Sequence, residues 1–150
     1  MDRREMLQSG MALTLAAAGT AMAQTGKSDA SHDHHAHGAG GKYAALVNAT
    51  SDCGHIGQLC LAHCLVLLGQ GDKVMAACAT SVMQLLATCD ALLKLSTQNS
   101  KYVPKMAALA LAVCEDCEKE CRKHETKHKE CKDCADACAA CAKECKKVAA

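Results

Sequence analysis

Apolar and small residues return every three or four positions along almost all of residues 42–150, and strict alternation of apolar with polar is nowhere sustained. That period is helical, because residues three and four apart share one face of a helix whereas a strand alternates with period two. The first stretch runs from about Tyr43 to Leu68 and stops at Gly69-Gln70-Gly71, a C-cap and turn signal. Asp72 stands where an N-cap belongs, and a second helix follows to about Leu95. Ser96 to Lys101 is a polar loop, Pro104 suits the first turn of a third helix, and that helix extends to about His124.

The break before a fourth helix is faintly marked, because Lys123 to Lys129 holds neither Gly nor Pro. An unbroken helix from Pro104 to Lys147 would be about 65 Å long. The steps between His128, Cys131 and Cys134 also slip the repeating face out of phase with what precedes it. Both points place a turn there, with Thr126 as candidate cap of the last helix. Four helices of similar length with short connections predict an all-α, antiparallel up-down-up-down four-helix bundle, in which ligand sites form from side chains facing the axis.

What faces that axis is sulfur. Helix 1 presents Cys53, Gly57, Cys60 and Cys64, and helix 2 presents Cys78, Val82, Leu85 and Cys89. Helix 3 adds Cys114, Cys117 and Cys121, and helix 4 adds Cys131, Cys134, Cys138, Cys141 and Cys145, so all 13 cysteines fall on inward stripes. Phe and Trp are absent, and the aromatic residues are Tyr43 and Tyr102 alone. A core normally draws its buried area from branched aliphatics and aromatics. Cys beside Ala, as at Ala135, Ala137, Ala139, Ala140 and Ala142, leaves too little volume to fill a bundle to native density. Something other than side chains should occupy the space.

Disulfides are the ordinary use of many cysteines in an exported chain. Here the count is odd, the cysteines cluster instead of closing loops, and bridging neighbours on one helix strains bond and helix alike. Single buried cysteines often serve as inert small hydrophobes, but 13 in register exceed that role. A soft metal remains. Structural zinc takes four ligands, typically in knuckles or loops, and a four-thiolate site leaves two buried negative charges. Cu(I) is soft, monovalent and content with two thiolates. If each thiolate bridges two ions, the ratio becomes one metal per cysteine and the filled core is neutral, which avoids burying unpaired charge. Steps of four such as Cys60/Cys64, Cys117/Cys121, Cys134/Cys138 and Cys141/Cys145 bring two sulfurs near one ion, while Cys53, Cys78 and Cys89 must pair across helices. Iron–sulfur clusters usually take cysteine runs from loops.

The bundle topology also predicts a mouth. The turns between helices 1 and 2 and between helices 3 and 4 share one end, which gathers His63, Met75, His124 and His128. Imidazole and thioether are weaker, exchangeable Cu(I) ligands, suited to passing ions inward. The other end should be closed by Leu46, Leu92, Val103 and Met106, with Met83 and Met106 as core and His55 as surface. Leu59, Leu61, Leu65, Val66, Leu67 and Leu68 spread around helix 1, with Leu86, Leu93 and Leu95 on helix 2, and a helix apolar on two faces usually buries both. That predicts a homo-oligomer.

Met1 to Ala23 has the form of a signal peptide: Arg3 and Arg4 make a twin-arginine n-region, a short apolar stretch follows, and Ala21-Met22-Ala23 fits small-x-small cleavage. It is too short for a membrane span. Twin-arginine export moves folded proteins, so the thiols would fold where they stay reduced, and the destination would be the periplasm or an internal membrane lumen. Residues 24–41, with His32, His34, His35 and His37 among Ser, Gly and Asp, have the composition of a disordered leader. Lys and Arg total 17 against 16 Asp and Glu, so charge suggests neither nucleic acid nor an anionic membrane as partner. No nucleophile-and-base motif, phosphate loop or haem attachment sequence occurs, which argues against an enzyme.

The cysteine-lined helices, the pair His124 and His128 before the run Cys131, Cys134, Cys138, Cys141, Cys145, and the twin-arginine signal together resemble the four-helix-bundle copper storage proteins of bacteria, most of all their exported branch. The resemblance covers nearly all of the chain after its signal. It implies a bundle that binds many Cu(I) ions through core thiolates, up to about one per cysteine, and stores them for copper enzymes such as the membrane methane monooxygenase while buffering copper. It further implies His and Met ligands at the open end, matched here by His63 and Met75, and a homotetramer. Leu67 and Gln70 stand where that pattern has further methionines, so the mouth is altered. A general scavenger of zinc or cadmium and a disulfide-stiffened structural bundle are the competing readings.

Overall fold

The computed structural model describes residues 41–150, and the signal and the His-rich leader lie outside the described residues apart from Gly41. Four helices follow in order: α1 (Ala44–Gly69), α2 (Ala76–Thr97), α3 (Val103–Arg122) and α4 (Lys129–Val148). Each packs along its two neighbours, α1 with α2 and α4, and α3 with α2 and α4, so the bundle is square in cross-section with antiparallel edges. The up-down-up-down expectation holds.

The turns explain why the chain reverses where it does. Gly71 sits at φ 94°, a left-handed conformation that a Cβ would oppose, and the amide of Asp72 donates to the carbonyl of Leu67 across it. Asp72 does cap, but it caps a single 3₁₀ turn, Lys73–Met75, by accepting from the Val74 amide at 3.2 Å, and α2 proper begins only at Ala76. At the α2–α3 turn Asn99 takes φ 50°, which Asn tolerates, while Ser100 N–H donates to the Leu95 carbonyl. Ser96, expected in the loop, is instead buried in the last turn of α2. Pro104 lies in the first turn of α3.

The α3–α4 turn is where expected but is built differently. Thr126 is exposed and does not cap; His128, in extended conformation, is the N-cap residue of α4, without a side-chain capping bond because its imidazole is engaged elsewhere. His124 supplies the local order, its carbonyl accepting from both Lys127 and His128 amides at 3.0 Å. Arg122 replaces the missing Gly or Pro by clasping Glu118, Glu125 and Asp136 from both sides of the turn.

The core has two zones. At the end away from the α3–α4 turn, Tyr43, Leu46, Leu92 and Val103 are buried, with Met106 packed against them. Met83 is a correction: it is 59% exposed, because the inward stripe of α2 runs through Val82, Leu85 and Cys89 and turns the neighbouring position outward.

Candidate metal centre

The rest of the axis is sulfur, with all 13 cysteines buried as free thiols. Helix periodicity alone achieves this, since each stripe advances by three or four residues and stays on the face turned to its neighbours. Across helices the sulfurs touch: Cys64 donates to Cys78 at 3.6 Å, Cys78 meets Cys121 at 3.7 Å, and Cys60 donates to Cys131 at 4.0 Å. Along α3, Cys117 and Cys121 lie 4.0 Å apart, the clasp expected for a step of four. These separations are about twice a disulfide bond length.

Within the stripe the sulfurs form compact groups. Near the mouth Cys60, Cys64, Cys78 and Cys131 have all their sulfurs within 4.8 Å of one another; deeper, so do Cys53, Cys89, Cys114 and Cys141. Between them lie two triplets, Cys60 with Cys121 and Cys134, and Cys117 with Cys134 and Cys138, so Cys60 and Cys134 each serve two groups. Sharing of this kind is what bridging thiolates require. Cys145 extends the deep group through Cys141, which lies beside it.

The thiols polarise one another. A hydrogen bond from Cys114, then one from Cys138, holds Cys53 down to about 5. Hydrogen bonds led by Cys121 lower Cys78, those led by Cys117 lower Cys134, and those led by Cys114 lower Cys141. Three partners keep their protons: Cys141 and burial raise Cys114, Cys117 and burial raise Cys138, and Cys121 and burial raise Cys60. Each group thus mixes sulfurs ready to become thiolates with thiols that steady them, which is the state an incoming soft cation displaces.

At the mouth the four non-cysteine candidates divide. His63 and His128 meet, Nε2 to Nδ1 at 3.0 Å, and Glu130 Oε2 lies 3.7 Å from His63 Nδ1. At 3.7 Å the carboxylate does not hydrogen-bond His63, and in the 3.0 Å contact one of the two imidazole nitrogens donates while the other accepts. His63 precedes Cys64 in α1 and His128 stands three residues before Cys131, so the pair sits over the outer sulfur group. Met75 is buried, three residues before Cys78. His124 lies in the turn at the same end, its Nε2 buried without a hydrogen-bond partner, with Glu120 Oε1 at 3.9 Å. His55 is exposed, as expected.

Two residues of the site escaped the pattern reading. Glu130 backs His63 from the first turn of α4, and Thr50 is buried with its hydroxyl 3.8 Å from Cys141 Sγ. Thr50 lies three residues before Cys53 on the same stripe, which was the available signal.

The profile of the copper storage protein family matches residues 39–150, the whole of the bundle. The chain belongs to that family. Copper storage protein 3 from Bacillus subtilis in its apo form is 30% identical, with a TM-score of 0.62 over 71% of this chain and 97% of that one. Its Cu(I)-bound structure is 29% identical, with a TM-score of 0.61 over 71% of this chain and 96% of that one. No curated protein sequence matches. Membership accounts for the cysteine-lined interior: copper is cargo, and the thiols are the hold that carries it.

Proposed function

We propose that the bundle takes up about one Cu(I) per cysteine, about 13 in the full chain, and keeps them as a thiolate-bridged column along its axis. The observation that carries this is the run of overlapping sulfur groups, in which Cys60 and Cys134 each belong to two, with the deep group joined to the run by contact between Cys53 and Cys138. Discrete tetrahedral sites would not overlap. In this reading His63, Met75, His124 and His128 are the exchangeable ligands through which ions pass to the thiolates.

The chain travels folded by the twin-arginine route to the periplasm or an internal membrane lumen, buffers copper there and supplies copper enzymes, a membrane methane monooxygenase being one such client. Storage rather than catalysis fits a site filled with like ligands. A homotetramer is the assembled form: Leu59, Leu65 and Val66 are each more than half exposed on α1, an apolar outer surface of the kind a partner subunit covers.

The test is a Cu(I) titration of the reduced, metal-free mature protein against a competing chelator. Near thirteen ions per chain supports the bridged column, whereas three or four would indicate separate four-sulfur sites and turn attention to zinc. Replacing Cys134, Cys138 and Cys141 with Ser should lower the capacity by about three ions; a loss of one would contradict one metal per thiolate.

A further inference from the structure

The sulfur column is not uniform. Cys60 links the mouth group to the triplet with Cys121 and Cys134, and Cys134 links that triplet to the one with Cys117 and Cys138, but the deep group of Cys53, Cys89, Cys114 and Cys141 shares no member with any of them. It touches the rest through the pair Cys53 and Cys138. The cause is a waist on the α1–α2 side, where Gly57, Val82 and Leu85 occupy the inward positions and carry no sulfur. Leu86 and Leu85 close over Gly57 so tightly that a Cβ there would meet them at 3.1 Å and 3.5 Å. An ion bound for the deep group from the mouth must therefore pass along α3 and α4 alone.

Beside that waist, a groove between α1 and α2 leads to the deep group from the side. Gly54, His55 and Gln58 line it from α1 and Asp90 from α2, and Thr50 and Cys89 form its floor. Gly54 is what opens it: a Cβ at this position would meet nothing within 4 Å. Cys89 is also the one cysteine of the 13 that retains any exposure, 2% against 0% for the others. His55 at the rim supplies an exchangeable nitrogen ligand that no hydrogen bond occupies among the described residues, while the carboxylate of Asp90 beside it is already paired with Lys94 at 2.7 Å.

We propose that this groove is a lateral port, through which Cu(I) held by a small thiol or similar carrier exchanges directly with the deep sulfur group, independently of the mouth. The exchange is a ligand substitution at Cys89. The copper–carrier bond and the Cys89 S–H bond break, a copper–sulfur bond forms at Cys89, the carrier departs as its thiol with the proton that Cys89 releases, and copper remains Cu(I) throughout. The inference rests on the storage reading but is tested apart from it.

The experiment is time-resolved alkylation of the reduced, metal-free mature protein with iodoacetamide, each cysteine being followed by mass spectrometry. Cys114 pulls the Cys89 thiol down, but Cys141, Cys53 and burial outweigh it and raise the group. Thiolate character therefore favours Cys53 and Cys141, and only access through the groove should put Cys89 first, ahead of these partners, Cys114 and the mouth cysteines. Gly54→Leu fills open space on a helix, so it should keep the melting temperature or raise it while slowing Cys89 by about tenfold, because thiol reactivity follows access. Gln58→Trp, from the exposed rim, gives a second way to cover the groove and should act in the same direction. With Cu(I) presented as a thiol complex, both variants should delay filling of part of the protein without changing its final capacity. Labelling that begins at the mouth, or a Cys89 rate indifferent to both variants, would overturn the port. A low copper capacity in the parent would overturn the storage reading and leave the alkylation result to decide the port by itself.

Discussion

The two ends of this bundle are made from the same four helices, yet one is finished in imidazole, thioether and carboxylate and the other in hydrocarbon. At the mouth, His63 and His128 share a contact at 3.0 Å, Glu130 stands behind His63, and the buried Nε2 of His124 has no partner. At the far end Leu92 and Val103 are fully buried and Leu46 and Tyr43 nearly so, and the polar atom enclosed with no partner there is the Ser96 hydroxyl oxygen. Helical period brings sulfur to the axis along both halves; it is the last turn at each end that decides which groups cover the sulfur there. Polar groups with lone pairs can trade water for metal, whereas an aliphatic plug offers an ion nothing in exchange for its hydration.

The largest contrast should come from filling the space between the ends. Copper bound only by the folded state stabilises it by mass action, about 4 kcal/mol for a site at a thousandfold excess over its dissociation constant. The metal-free protein should stay helical by circular dichroism and melt well below the loaded one. Equal melting temperatures would place the copper outside the core.

Leu92→Ala attacks the closed end and should cost about 2–5 kcal/mol in a denaturant titration, since it empties a fully buried site. Copper capacity of the folded protein should be retained. If the variant instead loaded faster, the far end would be a leaking plug and not a support.

His63→Ala combined with His128→Ala attacks the mouth, and the effect should be kinetic. Loading from a chelator should slow several-fold while capacity and melting temperature stay near the parent values. Loss of capacity would mean that these imidazoles hold cargo permanently.

Arg122→Ala should show the smallest change. The ammonium of Lys132 and the guanidinium of Arg122 hold the Asp136 carboxyl below its ordinary 3.8, so the contribution is fully present above that value and disappears as the pH falls through the lowered one. The variant should melt slightly below the parent at neutral pH, with the gap narrowing in acid. A gap that widened in acid would put the clasp's effect on other groups.

Much of this was legible because helix faces and soft-metal chemistry both leave short-range marks. The step of four that brings Cys117 and Cys121 to 4.0 Å is written in the chain, as is the reversal at Gly71. What could not be read were pairings between distant helices, such as His63 with His128 or Thr50 with Cys141, which depend on axial offsets that periodicity does not set. Met83 went astray for a related reason: hydrophobicity suggested burial, but register on α2 put it outside. The α3–α4 turn lacked its usual residues because an ion-pair clasp does their work, and such a clasp is invisible until Asp136 is known to lie across from Arg122.

Antiparallel packing has one more effect. At the mouth, α1 and α3 end while α2 and α4 begin, so two negative helix poles alternate with two positive ones. The backbone therefore presents almost no net field to an approaching ion, unlike a channel whose helices all aim the same pole at its filter. Discrimination by charge falls to side chains such as Glu120 and Glu130, and evolution could retune it by point substitution without touching the scaffold.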